Sequence, residues 1–251
     1  MRKEYHVLRS QVKLWGVIRM KQALFSLFAF AFLFYYPVPS EGWFDETHVA
    51  IAKVAGYSKW FNAVGPDMIK EKMGDREGHN HFVNNFRGTE ITSEMVLAQA
   101  EKYNKIDRHG HLYGAIIASV RDYLKKRETG KNAEYHMAFC AHYVGDLSQP
   151  VHHIEHNLFN YTYHKDIDGT VDEGILGNLD KIKIYPIRIT SEEELAKEIA
   201  RIAILSMALG YKLEDEYRVL TKEEAYQQLS HSASLFKAIL AYVAGITRAE
   251  Y

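Results

Sequence analysis

A chain of 251 residues, 47% hydrophobic and 25% charged, carries the inventory of an ordinary globular protein, long enough for one large core or two small ones. That composition excludes a disordered or collagen-like chain, and a single cysteine, Cys140, excludes an internal disulfide. The formal net charge is only −1, and the departure from the average is thirteen histidines, which cluster.

The first forty-two residues differ from the rest. Ala23 to Val38 is a run of sixteen residues in which Ser26 is the one clearly polar member. As a helix it would reach about 24 Å, short of the roughly 30 Å hydrocarbon core of a bilayer. Lys13, Arg19 and Lys21 precede it, and Pro37, Pro39, Ser40 and Gly42 follow. A basic flank, an apolar core and small residues at the end are the order of a secretory signal peptide. Residues 1–42 therefore read as a signal, with Met20 an alternative start and Trp43 the new terminus after cleavage. The competing reading is an uncleaved N-terminal anchor. Setting aside the six Lys/Arg and two Asp/Glu of this segment leaves 25 basic and 30 acidic residues, a net charge of −5. An acidic chain without a basic run makes broad electrostatic capture of nucleic acid a weak default.

Beyond it, apolar residues recur at helical spacing in Val49 to Val54, Leu112 to Leu124, Tyr135 to Leu147, Leu195 to Leu209 and Ala225 to Val243. Thr190 with Glu193, and Thr221 with Glu224, form capping boxes ahead of the last two, and Pro150 closes the third. Residues 157 to 189 lose the pattern; their alternating isoleucines (Ile182, Ile184, Ile187, Ile189), interrupted by Pro186, predict at most a short edge strand. With no repeat and no linker, residues 43–251 are expected to form one all-α, multi-helix domain, the helical pattern running to about 248.

The histidines and carboxylates fall at metal-ligand spacings. His142 and Asp146, four apart on a helical segment, leave the same face, and His164 and Asp168 repeat that spacing. The Pro150 turn brings back a third imidazole, for which His152, His153 and His156 compete. Asp67, His81 and His48 add a carboxylate and two imidazoles upstream. Mixed imidazole and carboxylate donors suit zinc, and three protein ligands on one ion leave a position for water. His109 and His111 read as members of a polar loop before the Leu112 helix, His136 and His231 as packed or solvated, and Cys140 as a small core residue. Phe159, Tyr161 and Tyr163 read as packing aromatics, and Asn160 with Thr162 matches a glycan acceptor.

Taken in order, Trp43-x4-His48, Asp67, His81-Phe82, the block from Ala141 through His142, Gly145-Asp146 and Gln149-Pro150 to His152, and His164-x3-Asp168 resemble the zinc-dependent phospholipase C and S1/P1 nuclease superfamily. The likeness spans about residues 43 to 168. It implies three zinc ions: one on Asp67, His81, His142 and Asp146; a second sharing Asp146 with His48 and with the amino nitrogen and carbonyl oxygen of Trp43; a third on His152, His164 and Asp168. It also implies that Asp67 orients or deprotonates the attacking water in phosphodiester hydrolysis. A chelating terminal tryptophan needs a free amine, and the signal reading places a terminus at that residue independently.

The substrate is expected to be a phospholipid headgroup, with transient contact at a membrane surface, and nucleic acid is the alternative. The short interval between His152 and His164 resembles bacterial phospholipases, whereas the Trp43 to His48 spacing resembles the nucleases. Glu46 matches an acidic position that helps hold choline headgroups in some members, but Met68 and Gly78 stand where aromatic partners are expected. Phe82 is the candidate to stack on a base. A different class of reading is a secreted binding protein in which zinc only stabilises the fold.

Overall fold

The computed structural model describes residues 43–130 and 132–249; the signal segment expected over 1–42 lies outside them. The described residues form α-helices α1 (Asp45–Val54), α2 (Gly65–Met73), α3 (Asp75–Gly78), α4 (Ser93–Ala100), α5 (Leu112–Glu128), α6 (Ala133–Asp146), α7 (Leu158–Asp168), α8 (Glu192–Glu216) and α9 (Lys222–Ala249). Short 3₁₀ turns intervene at Trp60–Val64, Pro150–His153, Ile175–Gly177 and Leu179–Lys181. No strand occurs among the described residues beyond an isolated bridge between Val83 and Gly110, so the all-α expectation holds.

Helix α6 is the axis of the domain. Every residue from Met137 to Asp146 is buried, as expected of a helix enclosed on all sides. α5, whose residues Leu112 to Val120 are all buried, packs along it, and α1, α2 and α9 close the remaining faces. α9 buries Ala225, Leu229, Ala233, Phe236, Ile239 and Val243, a stripe at three- and four-residue spacing. By length and composition it could cross a membrane, but that stripe makes it a core helix against α1, α6 and α8.

The structure corrects several local expectations. Residues 157 onward are not all irregular: α7 starts at Asn157, whose side chain caps the Asn160 N–H at 3.1 Å. The expected edge strand is an unpaired extended strap. Its Lys183 and Tyr185 N–H groups donate, each at 2.8 Å, to the hydroxyls of Ser230 and Ser234. Two extended residues advance about 6.6 Å and four helical residues about 6 Å, so alternate donors of the strap meet hydroxyls one turn apart on α9. The cap of α8 is shifted by one residue: Ser191 accepts from the Glu194 N–H, and Glu194 takes the Thr190 N–H in return. The Thr221 and Glu224 box forms as expected. His111 is buried at the N-terminus of α5 with Nε2 2.8 Å from Asn80 Oδ1, not in a polar loop.

Candidate metal centre

Four elements deliver the candidate ligands around Asp146. α6 presents His142 and Asp146 from one face, one turn apart and fully buried. α1 brings His48, also fully buried, so that its ring stacks on His142 with centroids 3.8 Å apart and planes 15° apart. The stack is possible because α6 has Gly145 here: a Cβ at that position would lie 2.4 Å from His48 Nδ1. α2 contributes Asp67 and the segment after α3 contributes His81. Around Asp146 the separations are 3.4 Å to His48 Nε2, 3.0 Å to His81 Nδ1 and 3.4 Å to His142 Nε2. Asp67 Oδ1 lies 3.5 Å from His142 Nε2 and 3.8 Å from His81 Nδ1.

Of the three competing imidazoles, the structure brings His152 to a second candidate group. His152 Nε2 faces His164 Nε2 at 3.1 Å, and His164 Nε2 lies 3.3 Å from Asp168 Oδ2. Both ring nitrogens of His153 are occupied elsewhere, Nδ1 by the Tyr113 hydroxyl at 2.9 Å and Nε2 by the Leu147 carbonyl at 2.8 Å. His156 is exposed, its ring against Phe82 at 4.4 Å. The Gln-Pro pair of the motif has a structural reason. Gln149 Oε1 accepts from the Val151 and His152 N–H groups, capping the turn, while its Nε2 donates to Asp168 Oδ1. One side chain thereby joins the His152 turn to α7.

Among the described residues three groups, buried except for Asp67, could each hold a metal ion: His48, His142 and Asp146; Asp67, His81 and His142; and His152, His164 and Asp168. His142 belongs to two of them, whereas the family likeness assigns it to one. The donor atoms fit an ion. In a tetrahedron with bonds of about 2.0–2.1 Å, donors stand about 3.3 Å apart, which is the spacing found here. His48 Nε2, Asp67 Oδ1 and Asp146 Oδ1 are buried with no hydrogen-bond partner, a costly state for polar atoms inside a protein. The tautomers agree. His142 Nδ1 donates to the Ala63 carbonyl, His152 Nδ1 to the His81 carbonyl, and His164 Nδ1 to Asn160 Oδ1. Each therefore turns Nε2 toward the centre, and the His152 and His164 Nε2 atoms, 3.1 Å apart, can share a proton or a metal ion.

The electrostatics show what takes that position without metal. Burial works against charge on His142, but Asp67 and Asp146 outweigh it and push the imidazole up to about 9. Burial likewise opposes ionisation of Asp67 and Asp146, and His142, with the neighbouring imidazoles, holds both carboxyls well below their usual range. His48 is held down by burial and by His142 beside it. A proton on His142, clasped by two carboxylates, thus stands in for a cation.

Trp43 is fully buried immediately before α1. Glu46 is exposed in the first turn of α1. Phe82, the expected base-stacking residue, is only 6% exposed, its ring packed against His79 and His156. Asn160 is buried, with Nδ2 donating to the Val151 carbonyl at 2.7 Å, so it is a support for His164 and not a glycan acceptor. Phe159 and Tyr163 pack together at 5.1 Å, while Tyr161 is exposed. Cys140 is a buried core residue whose thiol burial pushes up. Glu77 and Asn80 belong to no motif, and Gln149 and Asn160 appear in the sequence only as a motif pair and a triplet; their supporting roles are visible only once the fold is known. No protein-family model matches the chain, and no curated protein matches it in sequence.

Proposed function

We propose that this protein is a secreted or otherwise extracytoplasmic, zinc-dependent phosphodiester hydrolase of the phospholipase C type. The observation that supports it best is the facing His152 and His164 Nε2 pair beside Asp168, next to a second cluster centred on a carboxylate, Asp146, with both oxygens directed at imidazoles. Asp67, His81, His142 and Asp146 would hold one ion, His48 and Trp43 a second shared through Asp146, and His152, His164 and Asp168 the third. Zinc so bound lowers the pKa of water toward about 7 and neutralises charge on the oxygens of a phosphodiester.

The chain's own residues divide the remaining work. The Asp67 side chain is 27% exposed and that of His164 11%, whereas those of His48, His81, His142, His152 and Asp146 are fully buried. Solvent therefore reaches Asp67 and His164 at the edge of the buried cluster. Asp67 stays ionised at neutral pH because His142, His81 and Lys70 oppose the effect of its burial. It is a hydrogen-bond acceptor at that edge, suited to orienting an attacking water. Lys70 Nζ, 3.5 Å from Asp67 Oδ1, adds positive charge where an anionic phosphate would arrive. The burial of Phe82 leaves little of its ring for base stacking, which favours a lipid headgroup over the nuclease alternative.

The test is turnover of phosphatidylcholine, phosphatidylinositol and single-stranded nucleic acid by zinc-loaded protein, with N-terminal sequencing of the secreted form. Cleavage of a lipid by protein beginning at Trp43 is expected. Turnover of nucleic acid alone would replace the substrate assignment, and zinc binding with no hydrolysis of any of the three would reduce the protein to a zinc-stabilised binding module.

A further inference from the structure

Three imidazoles of the centre turn Nε2 inward and tie Nδ1 to an oxygen: His142, His152 and His164. His81 is reversed. Its Nδ1 faces Asp146 Oδ2 at 3.0 Å and His142 Nε2 at 3.2 Å. Its Nε2 points the other way, toward Oε1 of Glu77 at 3.4 Å, and makes no hydrogen bond. Glu77 lies one turn earlier in the chain and is 1% exposed. A carboxylate at that depth needs compensating donors. The Tyr143 hydroxyl supplies one to Oε1 at 2.5 Å, and the Asn80 amide another to Oε2 at 3.0 Å. Asn80 is itself anchored, its Oδ1 accepting from the Asn104 N–H at 3.2 Å and standing 2.8 Å from His111 Nε2. Tyr143 stands on α6 beside His142, so the helix that carries two ligands also fixes the acceptor behind a third.

We propose that Glu77 is a positioning residue for the metal centre: its carboxylate takes the Nε2–H of His81, which fixes the ring's tautomer and aims the Nδ1 lone pair at the space shared with Asp67, His142 and Asp146. The inference rests on the metal-centre reading above. A carboxylate behind a ligating imidazole orients the ring and raises its basicity, and loss of such a partner lowers metal affinity by about 10–100-fold. Glu77 does not join the ligand groups themselves, so it acts through His81 alone.

Two measurements test this. In the first, zinc affinity of Glu77→Gln is read by competition with a chromophoric chelator. One ion per chain should bind about 10–100-fold more weakly, with the His152 ion unchanged and with partial recovery in Glu77→Asp. A purely structural role would lower the melting temperature and leave affinity intact, and that result would overturn the proposal. In the second, ¹⁵N NMR of the zinc-treated wild type reads the His81 tautomer without any substitution. Nε2–H is expected, and Nδ1–H would overturn the proposal. If wild-type protein bound no zinc while His81 still carried Nε2–H, the metal-centre reading would fail and the orienting role of Glu77 would stand.

Discussion

Replacing Gly145 by alanine tests the centre without touching any ligand. Gly145 sits inside α6 with ordinary helical backbone, so alanine should stabilise the helix by about 0.5–1 kcal/mol. Its Cβ, however, would lie 2.4 Å from His48 Nδ1 and 2.7 Å from His48 Cε1. Normal contact is about 3.5–4 Å, so the ring has to move by about 1 Å. His48 has nowhere to go: it is fully buried, stacked on His142 at 3.8 Å, with Nε2 3.4 Å from Asp146. Overpacking of this kind costs about 1–3 kcal/mol, leaving a net destabilisation of up to about 2.5 kcal/mol after the helical gain. The displaced imidazole should also release the ion that His48 helps hold. Thermal unfolding of the metal-free variant, with native mass spectrometry of the zinc-loaded form, reads both effects. A Gly145→Ala protein that is more stable by the helical gain and keeps its full metal complement would refute the packing argument.

Asp146→Asn should lower zinc stoichiometry by more than one ion and abolish diesterase activity, because one carboxylate faces His48, His81 and His142 together; full metal content by elemental analysis would contradict this. His152→Ala should lose one ion, whereas His153→Asn should keep all of them, since His153 spends both nitrogens on Tyr113 and Leu147; equal losses by native mass spectrometry would contradict the distinction. His153 also sets an acid limit. Burial holds its imidazole down to about 4, so the folded state resists a proton that the unfolded chain takes up below about 6.5. Its contribution is present above 6.5 and is lost as pH falls toward 4, a loss of about 3 kcal/mol. Denaturant unfolding of wild type and His153→Asn between pH 7 and 4 should show the shallower decline in the variant, and parallel curves would refute it.

The long helices were legible because their buried faces are apolar. α8 and α9 bury Leu, Ile and Ala at three- and four-residue intervals, which is the periodicity that reports a helix. α7 was hidden by function: the residues it turns inward include Asn160, His164 and Asp168, four apart. A polar stripe has helical spacing but no hydrophobic signature, so hydrophobicity alone read it as irregular. The ligand spacings survived because i, i+4 pairs depend on helix geometry and not on apolarity. Weighing His152 against His153 and His156 needed coordinates, since it turns on which nitrogens Tyr113 and Leu147 already occupy. The burial of Phe82 and Asn160 was not legible either. Exposure is a tertiary property, and neither an aromatic beside a ligand nor an Asn-x-Thr triplet carries it.

The central claim is that the buried imidazoles and carboxylates form a metal centre. The direct measurement is zinc titration of the metal-free chain, followed by elemental analysis after gel filtration. The expected result is three ions retained per chain, with proton release at pH 7 as His142 gives up the proton that replaces a cation. A chain that emerges without zinc, takes up none and releases no proton would contradict the account.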